Sequence, residues 1–293
     1  MVVTVTLNPA IDVTARADSL CLGETNRLSQ STVNAGGKGI NAARMVRVLG
    51  GETLAIGFYG GASGELLLRL LQDDGLPHEF IRVPGETRVN MKVIDASGDM
   101  TELNGPGGAV GGEGYRAMGE LLKRLAAPEA IFVLSGSLPP DAEPGWYGEA
   151  IRMLKGAGAK TLLDTSGEAL RLGAMATPYV VKPNRDEMPM IDRSVRYGLL
   201  ANSLGADGAR FYANGREWHI PALPVEVVSP AGAGDCMTGA LAYALDKGLP
   251  VEEAALLSMA AAAAAVMTPG TLCPAPELIH QCKERYHGIV SPA

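Results

Sequence analysis

Short, wholly apolar runs alternate with helical stretches through most of this chain, and each run stops at a polar or glycine-containing turn. Residues 2–7 (VVTVTL) end at Asn8-Pro9 and residues 130–134 (AIFVL) at Ser135-Gly136. Residues 161–163 end at Asp164, and residues 179–181 at Lys182-Pro183-Asn184. Strands that are apolar on both faces belong to parallel sheets covered by helices on each side. Helical spacing of apolar residues marks 115–125, 146–155, 233–247 and 251–267. A shorter helix at 64–71 ends at Gly75, and another begins within 36–50, after a glycine-rich loop. Two stretches break the alternation. Residues 86–103 read as a β-hairpin turning near 96–99, and residues 13–34 as extended polar chain. Together they predict a small β layer outside the main body. Residues 209–220 are hairpin-like.

Composition then removes whole classes of function. With 47% hydrophobic and 19% charged residues, the 293-residue chain is neither disordered nor fibrous. A net charge of −7 supplies no global basic field for nucleic acid. The apolar stretch 254–267 contains Ser258 and is too short to cross a bilayer, so neither a membrane nor a nucleic acid is expected as a partner. The four cysteines form no CxxC pair, and the four histidines show no metal-ligand spacing. The N-terminus lacks the basic segment of a signal peptide, so a reduced, cytoplasmic protein is expected.

In open α/β sheets, ligands bind beyond the carboxyl ends of the strands. By this reading residues 8–12, 135–140, 164–167 and 182–187 collect at one such edge. The segment SPAGAGDCMTG (229–239) places Gly232, Ala233 and Gly234 just before a helix, where backbone N–H groups can converge on an anion. Asp235 then falls in the first helical turn, where the dipole favours its ionised form. A carboxylate beside an anion cradle suits a base that takes a proton from a hydroxyl attacking a phosphate. The same pattern also suits an Asp closing the first turn after a flexible loop. AGGKGIN (35–41) is not a Walker A loop, because Lys38 is followed by Gly39. It permits close backbone approach to a polar ligand beside Lys38 and Asn41, or it is a glycine-rich turn with an exposed lysine. Asp164 reads as structural, closing its strand before Thr165. Cys236 reads as a small buried residue, with no neighbour in sequence to activate it.

The chain resembles the ribokinase-like (pfkB) carbohydrate kinases. AGGKGIN and GAGD (232–235) are similar to that family's two signature segments. TLNPAID (6–12), GETRVNMKV (85–93), TELNGPG (101–107), LSGSLPPD (134–141), LDTSGEAL (163–170), VKPNRDE (181–187), SLGADG (203–208) and TPGT (268–271) follow in family order over nearly the whole chain. Within the family the likeness is greatest to bacterial 1-phosphofructokinases and tagatose-6-phosphate kinases. The resemblance implies an α/β fold: one ribokinase-like domain over 1–293, a three-layer sandwich with a mostly parallel central sheet. A β lid from about 13–34 and 86–103 would cover the sugar and offer a contact for a homodimer. The implied reaction is ATP- and Mg2+-dependent phosphorylation of a phosphorylated ketohexose, with fructose 1-phosphate as the first-ranked substrate.

Residue roles carry over by motif. Asp235 would be the general base, and Gly232, Ala233 and Gly234 would stabilise charge on the transferred phosphoryl group. Asp12, Gly37 and Asn41 would hold sugar hydroxyls, and Ser137 would line the pocket. Arg27, Lys38 and Arg88 would surround the phosphate already on the sugar. Lys182, Asn184, Ser203, Gly205 and Gly208 would border the nucleotide. Asn184 and Glu187 match an NxxE element that organises magnesium through water. Two departures stand out. Residues 185–202 contain Pro189 and little periodicity, so an element beside the nucleotide is expected to be shortened or lost. Ser229-Pro230-Ala231 before GAGD leans towards tagatose-6-phosphate kinases, whereas LNGPG and SGSLPPD lean towards the fructose 1-phosphate type. A tagatose-6-phosphate kinase, and a sugar-phosphate-binding protein without turnover, therefore stand as alternatives. No GxGxxG supports a Rossmann dehydrogenase.

Overall fold

The structure, a computed structural model, describes residues 1–289. From the N-terminus, β1 (Val2–Thr6) leads into β2 (Ala10–Ala17) and β3 (Leu28–Gly36), then α1 (Lys38–Val48). β4 (Thr53–Tyr59), α2 (Gly61–Asp73), β5 (His78–Arg82), β6 (Arg88–Ile94) and β7 (Met100–Asn104) follow. Next come α3 (Gly111–Leu125), β8 (Ile131–Ser135), α4 (Trp146–Gly156), β9 (Lys160–Asp164), α5 (Gly167–Met175) and β10 (Val180–Val181). β11 (Leu199–Ser203), β12 (Ala209–Ala213) and β13 (Arg216–Ile220) precede α6 (Ala233–Asp246), α7 (Val251–Val266) and α8 (Pro276–Ile289).

Nine strands form the central sheet in the order β13-β12-β11-β10-β9-β8-β1-β4-β5. From β11 to β5 every pairing is parallel, and β12 and β13 close one edge as an antiparallel hairpin. Alternation within each strand divides the core. Val2, Ile131, Val133, Leu162 and Val180 pack with α1, α6, α7 and α8 on one face. Val3, Val5, Phe132, Leu134 and Leu163 pack with α3, α4 and α5 on the other. The result is the expected three-layer α/β sandwich. β4 and β5 escaped the sequence reading because TLAIGFY and HEFIR lie against the α2 pattern without a clear boundary signal. No helix among the described residues is long and apolar enough to cross a membrane.

A second sheet, in the order β3-β2-β6-β7, comes from the two stretches that broke the alternation. β2 pairs in parallel with β6, and antiparallel hairpins flank that pair. β2 begins at Ala10, so Asp12 lies within a strand and not in a turn. Within residues 185–202, where an element is expected to be shortened or lost, the chain forms one 3-10 turn, Met188–Met190, before entering β11. Pro189 in that turn has no N–H to extend it.

The close packing of α1 on α6 sets the position of both helix N-termini. A Cβ on Gly239 would lie 2.5 Å from the Ala42 carbonyl oxygen and 2.7 Å from Met45 Cβ. Gly239→Leu should force the helices apart and cost about 1–3 kcal/mol, read as a lower urea midpoint at unchanged m. An unchanged midpoint would show that the interface yields freely.

Candidate active site

The carboxyl ends of β1, β8, β9 and β10 open onto the N-termini of α1 and α6, as the strand-end rule anticipates. At the centre stands Asp164, 1% exposed at the end of β9. One of its carboxylate oxygens accepts from Lys38 Nζ at 3.1 Å. The other lies 3.2 Å from Lys182 Nζ and accepts from the Thr238 hydroxyl at 2.7 Å. Burial alone would raise the Asp164 pKa, but Lys182 and Lys38 outweigh it and hold the group down at about 2. Asp164 in turn raises the proton affinity of Lys38 against the effect of burial. Asp164 is therefore the hub of a charged cluster and not merely a strand terminator. Its signal in the sequence was parity: it shares a face with Leu162, towards α6.

Asp235 adjoins this cluster from the first turn of α6. Asn41 Nδ2, in the first turn of α1, donates to its carboxylate at 2.8 Å. Burial pushes the Asp235 pKa up to about 6, with Lys38 opposing and Asp164 adding to the rise. Burial thus places this carboxylate above the ordinary carboxylate range, yet it stays ionised near neutral pH, as its place in the first helical turn anticipates. Gly232 caps α6 with φ 81°, a left-handed conformation that favours glycine. Gly234 is exposed, and the one heavy atom near a Cβ built there is Lys182 Nζ at 3.6 Å. Lys182 Nζ thus lies beside the first turn of α6, close enough for its charge to lower the Asp235 pKa. Beside it, the Cys273 thiol and then burial push the Cys236 thiol well up, which agrees with an inert Cys236.

The second sheet brings another group together. Asp12 is buried and accepts from Asn90 Nδ2 at 2.9 Å and Lys92 Nζ at 3.4 Å. Arg88 donates to the carbonyls of Asn8 at 3.1 Å and Gly105 at 3.2 Å. Burial lowers its proton affinity, with Asp12 opposing. Asn8 also donates to Ser137 Oγ at 3.3 Å, which ties the end of β1 to the SGSLP turn. Gly37 caps α1 with φ 131°. Arg27 stands apart, exposed between β2 and β3, and makes no side-chain hydrogen bond or ion pair among the described residues. Asn8, Asn90, Lys92 and Thr238 were missed by the motif reading. The first three lie inside the motif segments, and strand period alone puts Asn90 and Lys92 on the Arg88 face.

The nucleotide-side residues form a wall of two turns. The Asn184 side-chain oxygen accepts from the Asp186 and Glu187 N–H groups at 2.9 Å each, and Glu187 Oε2 accepts from the Asn184 N–H at 2.9 Å. Asn184 bridges to Ser203, and Arg185 pairs with Asp207. Gly205 opens the 205–207 turn, and Gly208 passes so close to the 220–222 chain that a Cβ would lie 2.1 Å from the Ile220 carbonyl oxygen. Magnesium takes hard oxygen donors and keeps several waters. Oε1 of Glu187 meets no protein donor among the described residues, and Glu187 is near enough to raise the proton affinity of Lys38. No cluster of three or more metal-ligating side chains occurs among the described residues. This donor set fits an ion held largely through water.

Residues 2–194 and 195–278 match the family described as pfkB family carbohydrate kinase. A 1-phosphofructokinase of Vibrio cholerae is 32% identical over 286 residues, covering 92% of this chain and 90% of that protein. A tagatose-6-phosphate kinase of Staphylococcus epidermidis is 30% identical over 265 residues, with 84% and 85% coverage. The solved structure of Escherichia coli phosphofructokinase-2 in complex with fructose-6-phosphate superposes with a TM-score of 0.89, at 29% identity over 99% of both chains.

If Asp235 must be ionised to act, activity should be present above its pKa of about 6 and fall as pH drops through that value. A pH profile of kcat/KM should show this single acidic limb. Because Lys38 lowers the Asp235 pKa, Lys38→Met should move the limb to higher pH in the residual activity. A limb that does not move would separate the two groups.

Proposed function

The chain belongs to the pfkB family of carbohydrate kinases, so its chemistry is phosphoryl transfer to an alcohol, and we propose that the acceptor is the free primary hydroxyl of a phosphorylated ketohexose, fructose 1-phosphate before others. The observation that carries this reading is the Asp235 carboxylate, raised to about 6, beside the Gly232–Gly234 amides and Lys182. Such a group is ionised at neutral pH yet basic enough to take a hydroxyl proton as the C–O–P bond forms. The hydroxyl oxygen attacks the γ-phosphorus of ATP in line, and the bond to the bridging oxygen breaks with its electron pair leaving on ADP. The amides of Gly232, Ala233 and Gly234, with Lys182, meet the charge on the transferring group. Magnesium, when bound near Glu187 and Asn184, would neutralise phosphate charge there. Ser203, Gly205 and Gly208 form the wall against which the nucleotide lies.

At the sugar end, Asp12, Asn41 and the Gly37 backbone face the hydroxyls, and Ser137 lines the pocket. Arg88 and Lys38 would hold the phosphate that the sugar already carries, with Arg27, exposed between β2 and β3, as the third cation of that set. The TELNGPG segment supports this arrangement, since the Gly105 carbonyl fixes the Arg88 guanidinium. Pro230 and the tagatose-6-phosphate kinase relative favour tagatose 6-phosphate as the second reading. Second copies would dock on the outer face of the small sheet. Val33, Val89 and Leu103 are 43%, 46% and 58% exposed there, and the strand register aligns them with Val13 and Met91.

ADP release with MgATP should show the highest kcat/KM for fructose 1-phosphate among fructose 1-phosphate, fructose 6-phosphate, tagatose 6-phosphate and free sugars. A preference for tagatose 6-phosphate would reverse the ranking. Asp235→Asn should abolish turnover by a factor of at least about 10³ while sugar-phosphate binding persists. Leu103→Glu should lower the mass measured by light scattering to that of one chain, and a wild-type monomer would end the dimer proposal.

A further inference from the structure

Lys92 is an unusual residue for a lid strand. It is 8% exposed, and a buried ammonium is costly unless paired. Its direct cross-strand neighbour across the β6–β7 hairpin is the exposed Glu102. A pair with Glu102 would be the local solution for a sheet surface. Lys92 instead reaches the other way, diagonally across the parallel β2–β6 pairing, to Asp12 Oδ2 at 3.4 Å. Asn90, two residues earlier on the same face, holds Oδ1 at 2.9 Å. On a third side the chain itself closes in, since a Cβ on Gly36 would lie 2.4 Å from Asp12 Cγ. Asp12 is thus held by an amide, an ammonium and a backbone wall. A carboxylate has about four acceptor directions, and two are occupied here. The remaining directions are available to hydroxyls.

Resting on the kinase reading above, we propose that Lys92 is a positioning residue for sugar recognition: it holds the Asp12 carboxylate in one orientation, so that the free lone pairs of Asp12 accept the hydroxyls of the phosphosugar. Lys92 acts through Asp12. Its loss leaves a buried carboxylate with Asn90 as its one side-chain hydrogen-bond partner and free to turn, while the Asp235 side of the cleft is untouched.

The test combines steady-state kinetics with fructose 1-phosphate and the thermal shift that fructose 1-phosphate produces without ATP. Lys92→Met should raise KM for the sugar by about tenfold or more, with kcat and the KM for ATP within about twofold of wild type. Lys92→Arg should recover most of the loss. The Asp12→Asn protein and the Asp12→Asn/Lys92→Met double variant should bind the sugar equally, because Lys92 has no role once Asp12 no longer needs holding. This pair carries the test even if Lys92→Met alone does not fold. An unchanged KM in Lys92→Met, or losses that multiply in the double variant, would overturn the proposal. A wild-type protein that neither binds nor turns over any phosphosugar would overturn the kinase reading along with it. Wild type and Lys92→Met giving the same thermal shift would sink the Lys92 role alone.

Discussion

Asp164 sits between two lysines, and the geometry of the whole cleft depends on that buried contact. A carboxylate 1% exposed is stable as an anion only if cations and donors replace the water it has lost. Lys38, Lys182 and Thr238 do so, and they come from α1, from the loop after β10 and from α6. One residue at the end of β9 therefore ties three separate elements to one point. The same lysines act on Asp235, which lies close enough for Lys38 to lower its pKa and Asp164 to raise it. Two ammonium groups face two carboxylates, so the cluster is near neutrality before substrate enters. Triphosphate would bring several negative charges into that balance. Lys38 and Lys182 cannot neutralise them and Asp164 together, so the proposed reaction would call on a divalent cation and on the α1 and α6 N-termini for the rest.

That aim is a matter of packing. α1 and α6 approach along Gly239, and no larger residue fits against Ala42 and Met45. Their N-terminal turns then meet at the Asn41–Asp235 hydrogen bond of 2.8 Å. Burial favours the neutral carboxylate, Lys38 and this bond favour the ionised one, and the value of about 6 is the outcome. In the proposed reaction a base formed this way would need no histidine.

Much of this was legible in the sequence, and the illegible part has a physical pattern. Most strands of the central sheet are legible as short apolar runs bounded by turns, since burial on both faces leaves no face for solvent; β4 is as buried, but its run lies against α2 without such a boundary. Asp235, Lys38 and Asn41 stand out as candidates because glycines lie near them, and glycine marks places where backbone must come close to something. Asp164, Thr238, Asn90 and Lys92 carry no such flag. Asp164 and Thr238 matter through contact between residues 74 positions apart, and Asn90 through a partner 78 positions away. Arg27 carries a flag of the opposite kind: its motif position points to a phosphate, and its side chain is exposed on a loop. The 203–208 glycines point to a nucleotide, and at Gly208 the close approach seen in the fold is to the chain's own 220–222 segment.

The small sheet follows from the same reasoning. Period-two alternation gives its strands two chemistries, with Asp12, Arg88, Asn90 and Lys92 on one face and Val13, Val33, Val89 and Met91 on the other. A shift of one residue between β2 and β6 would exchange those faces, turning the polar groups outwards and the valines inwards. Turn geometry cannot fix that register, because the pairing is parallel and α1, β4, α2 and β5 all lie between the two strands. The register must be set by anchors, and the site residues supply them. Arg88 grips the Asn8 carbonyl just before β2, and Asn90 and Lys92 grip Asp12 four residues further along the chain. The polar groups read as sugar contacts therefore also hold the sheet in the one alignment that can present them.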